Sequence, residues 1–328
     1  MLYRTLGRTE IRAPEIGFGC GNVGGIMVRG SHEAQVSAVQ HALALGIDYF
    51  DTAALYGDGL SETHLGEVLK QIKPDVRVAT KFPVKPGDLG DIPGAIRRSL
   101  EASLKRLQLD SVDVLQLHTN LTAASEKGIG SAEVLGSGGV ADTLDALRNE
   151  GLIRHRGFTG MGDTDAIHAV IDSGRLDTVQ IYYNLLNPSA GHAVPANYPN
   201  QDYRLTIDKA AAQKMGIIII RALAGGAVAG PARAELASRM PGGIMAMGND
   251  YDSDLRRARA LAFLVTSKRT AAQASIRFAA DNAKVGMILV GFSNEAQIDD
   301  DAAAAASAPL SAGDMDRVRA LWASDFTE

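Results

Sequence analysis

The sequence holds one cysteine, Cys20, in 328 residues, which excludes an internal disulfide framework and fits a reducing compartment. Its seven histidines (32, 41, 64, 118, 155, 168, 192) show neither His-x-x-x-His nor His-x-His spacing. With so few thiols beside them, no metal site is expected. No apolar run approaches a membrane span, and the opening Met1-Leu2-Tyr3-Arg4-Thr5-Leu6-Gly7-Arg8 lacks the apolar stretch of a secretory signal. A cytoplasmic location without membrane contact is therefore the expectation. Basic residues do not dominate: 33 Lys and Arg stand against 38 Asp and Glu, a net charge of −5. No basic block occurs, which argues against nucleic acid or an anionic surface as partner. Aromatics are sparse at 5%, yet 46% hydrophobic and 22% charged residues place the chain among globular proteins. A chain of this length buries about 75% of its unfolded surface, so it needs no covalent or metal staple.

Short apolar, β-rich runs alternate with amphipathic stretches. The predicted strands are Glu15–Cys20, Ile47–Thr52, Val76–Phe82, Val112–His118, Ile153–Thr159, Thr178–Tyr182, Gly216–Arg221 and Gly286–Gly291. Several are nearly continuous apolar, such as Ile217-Ile218-Ile219-Ile220, as parallel strands buried on both faces require. Helical patterns follow at 33–45, 61–70, 91–108, 132–150, 163–174, 203–214, 253–280 and 294–305, with an extra one at 311–323. Eight strand–helix units predict an α/β fold, a (β/α)8 TIM barrel, as one domain over 1–328. Long segments rich in Gly, Pro, Ser and Asn follow the fourth, sixth and seventh strands at 119–131, 187–202 and 222–250. All three leave the C-terminal ends of strands, the barrel face where active sites sit, although tolerated insertion is a competing account.

Gly19-Cys20-Gly21-Asn22-Val23-Gly24 spells G-x-G-x-x-G. In a dinucleotide-binding βαβ unit the helix starts within those glycines and faces the pyrophosphate. Here Gly25, Gly30 and Ser31 push the expected helix start about seven residues on. The glycines are read instead as letting backbone pass close to a ligand at the barrel mouth.

Four polar residues stand at or just beyond the second, third and fourth strand ends: Asp51, Tyr56, Lys81 and His118. Singly, each has an ordinary explanation, such as an ion pair for Asp51 and Lys81, a loop anchor for Tyr56 or a hydrogen-bonded core position for His118. Together, at adjacent strand ends, they converge on one mouth. A lysine ammonium about 4 Å from a phenol, at an effective dielectric near 20, favours phenolate by roughly 4 kcal/mol. That brings tyrosine towards the range where proton transfer is effective. Asp51 would keep Lys81 protonated, and His118 would orient a reacting oxygen. Such a set suits proton transfer to an oxygen whose carbon takes a hydride from a cofactor.

Phe50-Asp51-Thr52-Ala53-x-x-Tyr56-Gly57 with Ser61-Glu62, then Thr80-Lys81-Phe82, then Leu117-His118, resemble in order the catalytic segments of the aldo-keto reductase superfamily. The resemblance covers nearly the whole chain and implies a barrel oxidoreductase that uses NADP(H), or NAD(H), on a small carbonyl or sugar substrate. It implies Asp51, Tyr56, Lys81 and His118 as catalytic tetrad. Gln180 resembles the glutamine that holds the nicotinamide carboxamide. Thr159-Gly160 stands where the family has Ser-Asn. Ile220-Arg221-Ala222-Leu223, then Ala224-Gly225-Gly226, replace aromatic-Ser-Pro-Leu. The resemblance thus puts Ile220 where an aromatic would stack, with Leu223 and Gly225 beside the cofactor. Arg221 would reach the pyrophosphate or a substrate anion, or else is an ion-paired arginine at a strand end.

Ser293, Gln297 and Asp301 fall where the family contacts the adenosine phosphate and adenine. Asn294 with Gln297 is also a helix N-cap pattern, and both readings are compatible. Residues 291–301 hold no Lys or Arg, but hold Glu295, Asp299, Asp300 and Asp301. A 2′-phosphate would need a cation from elsewhere, with Arg233, Arg239, Lys268 and Arg269 as candidates. Trp322, Tyr182, Tyr183 and Cys20 read as packing. Two rival functions remain open: a nicotinamide-sensing subunit with little turnover, and an aldolase in which Lys81 forms a Schiff base.

Overall fold

The computed structural model describes residues 1–122, 128–231, 233 and 251–327. It opens on a hairpin that the sequence pattern did not reveal, β1 (Tyr3–Thr5) and β2 (Arg12–Pro14), paired antiparallel. Eight parallel strands follow: β3 (Ile16–Gly19), β4 (Tyr49–Asp51), β5 (Arg77–Phe82), β6 (Val112–Leu117), β7 (Ile153–Gly160), β8 (Thr178–Tyr182), β9 (Gly216–Ile220) and β10 (Met287–Gly291). They close a barrel in chain order, β10 pairing with both β9 and β3. Each coincides with an expected strand, within a residue or two at the ends.

Side-chain alternation splits every strand between two cores. Ile217 and Ile219 join the large outer core between barrel and helices. Ile218 joins an inner core with Tyr49, Ala79, Val114, Met287 and Leu289. The hairpin closes the lower end of that inner core through Leu6, Ile11 and Ala13. Its turn uses Gly7 at φ +56°, where a Cβ would lie 2.2 Å from the Gly216 nitrogen.

The helices are α1 (Ile26–Arg29), α2 (His32–Ala44), α3 (Leu60–Ile72), α4 (Ile92–Leu107), α5 (Ser131–Leu135), α6 (Val140–Asn149), α7 (Thr164–Asp172), α8 (Thr206–Ala212), α9 (Tyr251–Arg259), α10 (Ala271–Ala280), α11 (Glu295–Ala303) and α12 (Ala312–Ala323). α2 starts where expected, with the Ser31 hydroxyl accepting from Ala34 N. The one-turn α1 before it was not expected. The pattern at 132–150 is two helices, broken at Gly136 and at Gly138, whose φ is +71°. That at 253–280 is also two, because Thr270 starts a new helix with a capping box to Gln273. Trp322 packs by its ring on His192 and Phe278 and donates to the Leu185 carbonyl at 2.8 Å. Among the described residues, no helix is long and apolar enough to cross a membrane.

Candidate active site

Two residues up from the apolar inner layer, the same strands turn polar. Asp51 follows Tyr49, Lys81 follows Ala79 and Gln116 follows Val114, each with one residue between, and on β8 Gln180 follows the already polar Thr178 in the same way. All four are buried. The Lys81 ammonium donates to Asp51 Oδ1, to the Thr52 carbonyl at 2.9 Å and to the Tyr56 phenol oxygen at 3.3 Å. The other carboxylate oxygen, Asp51 Oδ2, accepts from Gln180 Nε2 at 2.7 Å and from Gln116 Nε2 at 3.0 Å. Burial pulls the Lys81 pKa down, but Asp51 and Tyr56 together outweigh it and hold the ammonium above its ordinary value.

His118 meets Tyr56 edge-on, ring centroids 5.6 Å apart and planes at 87°. Its Nδ1 is shut from solvent and has no partner among the described residues. Burial, then the nearby Lys81 charge, push its pKa down to about 3, so the imidazole is neutral at working pH. The predicted tetrad is thus one cluster. A neutral ring and a phenol share the mouth, and a fixed cation lies beneath the phenol. The same environment argues against Lys81 as a Schiff-base nucleophile, which must present a neutral amine.

The loop that carries Tyr56 is pinned from several sides. Gly57 and Asp58 take φ +58° and Gly59 φ +91°, a left-handed run that swings the chain from β4 into α3. Asn22 Oδ1 accepts from Gly57 N at 3.0 Å, and a Cβ on Gly21 would touch the Tyr56 ring at 3.4 Å. The Ser61 hydroxyl donates to the Cys20 carbonyl at 2.9 Å, while Glu62 accepts from Arg106 Nε at 2.7 Å and from Thr80. At Gly24 an added Cβ would sit 2.2 Å from Phe292 N. This corrects the reading of the glycine pattern at Gly24, where the close approach is to protein, the end of β10; at Gly21 a Cβ would make only ordinary contact with the Tyr56 ring. Cys20 is buried, and its thiol pKa is raised by that burial and then by Asp51, which leaves it inert.

The residues singled out for the cofactor are spread over the same face. Gln180 spends its amide nitrogen on Asp51. Thr159 Oγ1 donates to the Leu117 carbonyl at 3.1 Å. A Cβ on Gly160 would point at Val179 and Ile167 on the outer side of the barrel. Ile220 packs at the top of the inner core. Arg221 is half-buried at φ +59°, its carbonyl accepting from Asn184 Nδ2 at 2.9 Å. Leu223 is buried beside the turn Ala224–Gly226, in which Gly225 takes φ +67°.

At the start of α11, Ser293 Oγ donates to the Gly24 carbonyl at 2.6 Å, and Asn294 Oδ1 caps Gln297 N at 3.0 Å. The cation missing from 291–301 arrives from beyond β9. Arg233 donates to Asp301 Oδ1 at 2.9 Å and to the Gln297 carbonyl at 3.1 Å. Asp301 is fully buried, with Oδ2 unpartnered among the described residues; burial, opposed by Arg233, pushes its carboxyl up to about 7. Arg269 is tied to Asp314 and the Leu264 carbonyl, and Lys268 is exposed. Arg239 and most of 222–250 lie outside the described residues, as do 123–127 of the earlier loop.

Sequence reasoning missed Gln116. The signal was present: it lies midway between Val114 and His118, on the inward parity of the strand, whereas the strand's other polar residue, Asp113, is on the opposite parity.

The chain matches the Aldo/keto reductase family over residues 15–323. L-galactose dehydrogenase of Arabidopsis thaliana is 33% identical over 188 residues, 55% of this chain and 55% of that protein. D-threo-aldose 1-dehydrogenase of Pseudomonas sp is 29% identical over 212 residues, 56% of this chain and 61% of that protein. The chain therefore spans little more than half the length of these curated relatives in the matched region. A holo-form aldo-keto reductase from Bacillus halodurans shares the fold at TM-score 0.73 and 20% identity, covering 98% of this chain and 96% of that one. An aldo-keto reductase from Klebsiella pneumoniae in complex with NADPH does so at TM-score 0.67 and 21% identity, with the same two coverages, 98% and 96%. The family match runs from the first barrel strand to the last helix and takes in all four clustered residues, and on it this chain belongs to the aldo/keto reductase family.

Proposed function

We propose that this chain is an NADP(H)-dependent oxidoreductase that interconverts a small carbonyl compound or sugar lactol with its alcohol or oxidised partner. One observation carries the reading: a fully buried ammonium, locked by Asp51, donates to the Tyr56 phenol oxygen at 3.3 Å. In reduction, Tyr56 gives its proton to the substrate oxygen, and Lys81 stabilises the phenolate left behind. In oxidation the phenolate takes the proton back. Neutral His118, whose ring meets the phenol edge-on, hydrogen-bonds the same substrate oxygen and orients the carbonyl.

NADP(H), when bound, supplies or accepts the hydride at the substrate carbon. The residues present fit it. Gln180, held by Asp51 through its nitrogen, keeps its carbonyl oxygen for a carboxamide N–H. Thr159, Gly160, Ile220, Arg221, Leu223 and Gly225 would flank the nicotinamide and pyrophosphate. The unpartnered, buried Asp301 Oδ2 suits an adenine amine, and Ser293, Gln297 and Arg233 would hold the ribose phosphate. The lactol half of the substrate class draws support from two relatives named as dehydrogenases of galactose and of an aldose.

The test pairs binding with turnover. Fluorescence titration with NADPH and NADH side by side establishes the preferred cofactor, and a panel of aldehydes, ketones and aldoses follows. Tyr56→Phe is expected to lose about 100-fold or more in turnover with cofactor affinity unchanged. Full turnover in that variant would sink the mechanism. Tight nicotinamide binding with negligible wild-type turnover would favour a sensing subunit instead.

A further inference from the structure

We infer that Gln116 is a positioning residue for proton transfer: it fixes the rotation of the Asp51 carboxylate, and through it the aim of Lys81 at Tyr56. The inference rests on the proposed role of Tyr56.

Asp51 is buried, and three donors reach its carboxylate: Lys81 Nζ, Gln116 Nε2 and Gln180 Nε2. A carboxylate can turn about its terminal bond, and an ammonium on a four-carbon stem is mobile. Two amides on Oδ2, from β6 and from β8 with β7 between them, hold that oxygen and leave Oδ1 facing Lys81 Nζ. Lys81 then keeps its third contact, to the phenol, only while Asp51 keeps its rotation. Gln180 is the less dependable of the two anchors, because its amide also faces the proposed carboxamide. Gln116 has no such second duty.

Its burial points the same way. Gln116 is fully buried, its Nε2 donates to Asp51, and its Oε1 has no partner among the described residues. A leucine would fill the strand interior without stranding an oxygen. The residue contributes little as packing; its one hydrogen bond goes to the carboxylate that holds the catalytic lysine. The amide orientation follows from chemistry, since only the NH2 end can donate to a carboxylate.

Two substitutions separate positioning from packing. Gln116→Leu removes the donor. Gln116→Glu keeps the shape and can donate only while protonated, in a setting that contains Asp51, Lys81, Tyr56, His118 and Cys20. Gln116→Leu is expected to lower kcat/KM by about 10- to 100-fold across the pH range, with NADPH affinity within twofold of wild type. Gln116→Glu is expected to run near wild type in acid and to lose kcat/KM as pH rises, adding one ionisation to the profile.

A readout that needs no turnover is phenolate absorbance, taken as the difference between each protein and its Tyr56→Phe counterpart. Gln116→Leu should move that titration to higher pH. A lower unfolding midpoint with an unchanged phenolate titration and an unchanged pH profile would overturn the inference and leave Gln116 as packing. Should the wild type turn over no carbonyl, the proposed function fails, while the phenolate titration still decides the positioning role.

Discussion

The Asp51–Lys81 pair makes stability respond to paired substitutions in an unusual order. Lys81→Met keeps the volume and removes the cation, leaving Asp51 with its two amide donors. Breaking a buried ion pair on one side costs about 3–5 kcal/mol. Asp51→Leu costs more. It leaves an ammonium buried with the Thr52 carbonyl and the phenol, and it also strips Gln116 and Gln180 of their acceptor. Each orphaned donor adds about 1–3 kcal/mol. In the double variant no charge remains to be desolvated, while the orphaned amides are the same as in Asp51→Leu. The double variant should therefore be more stable than Asp51→Leu alone, by about 3–5 kcal/mol. Urea unfolding at pH 7 measures this, with Trp322, the single tryptophan, as fluorescence probe and circular dichroism required to coincide. A double variant weaker than Asp51→Leu by the further cost of Lys81→Met would refute the reasoning. The pH dependence has a fixed sign. The folded Lys81 pKa is raised, so its stabilisation is complete below the ordinary value of about 10.4 and fades only as pH climbs through the higher folded value. Lys81's own contribution to the gap between wild type and Lys81→Met should stay constant from pH 7 to about 10.

Gly24→Ala should cost about 1–3 kcal/mol, because its Cβ would meet backbone at 2.2 Å, whereas Gly87→Ala, with nothing within 4 Å, should gain about 0.4–1 kcal/mol; urea midpoints compare them. Asp301, with a folded value of about 7 against an ordinary one near 3.9, retains a proton that the unfolded chain releases. Wild-type stability should accordingly fall relative to Asp301→Asn as pH rises from about 4 to 7, and a pH-independent difference would contradict it. His118, at about 3, should show no ring-proton titration by NMR between pH 5 and 8, its resonance being assigned by its loss in His118→Gln.

The strands were legible because parallel strands buried on both sides have little freedom in composition. Ile217–Ile220 must suit an outer core and an inner one, and a continuous apolar run is the result. Helix boundaries were less legible. The period at 253–280 carries through Thr270, and only the capping box marks the break. The β1–β2 hairpin has three-residue strands with Arg4 and Arg12 in them, so neither length nor alternation announces it. The four clustered residues were readable because each stands at or just beyond a strand end, and strand ends in a barrel meet by topology. Arg233 was nameable but its place was not, since it meets Asp301 across 68 residues of chain. The glycine pattern misled for a related reason. It records close backbone approach, and sequence alone does not say whether the approaching group is a phosphate or, as at Gly24, the end of β10.

The polar layer ties activity to a cost in stability that the fold has to carry. A step of two residues along β4, β5 and β6 separates an apolar floor from the buried polar side chains of Asp51, Lys81 and Gln116, which Gln180 joins from β8. Replacing that layer with apolar residues of similar volume would be neutral or stabilising for a buried pair. It would also remove the cation under Tyr56, and with it the means of holding charge on the phenol. Stabilising substitutions and active substitutions should therefore separate by height in the barrel. Below Tyr49, Ala79 and Val114, improved packing is expected to raise stability without touching the pH–rate profile. One step higher, at Asp51, Lys81 and Gln116, a gain in stability is expected to come with lost turnover, because the charges that burden the fold are the ones that aim the proton.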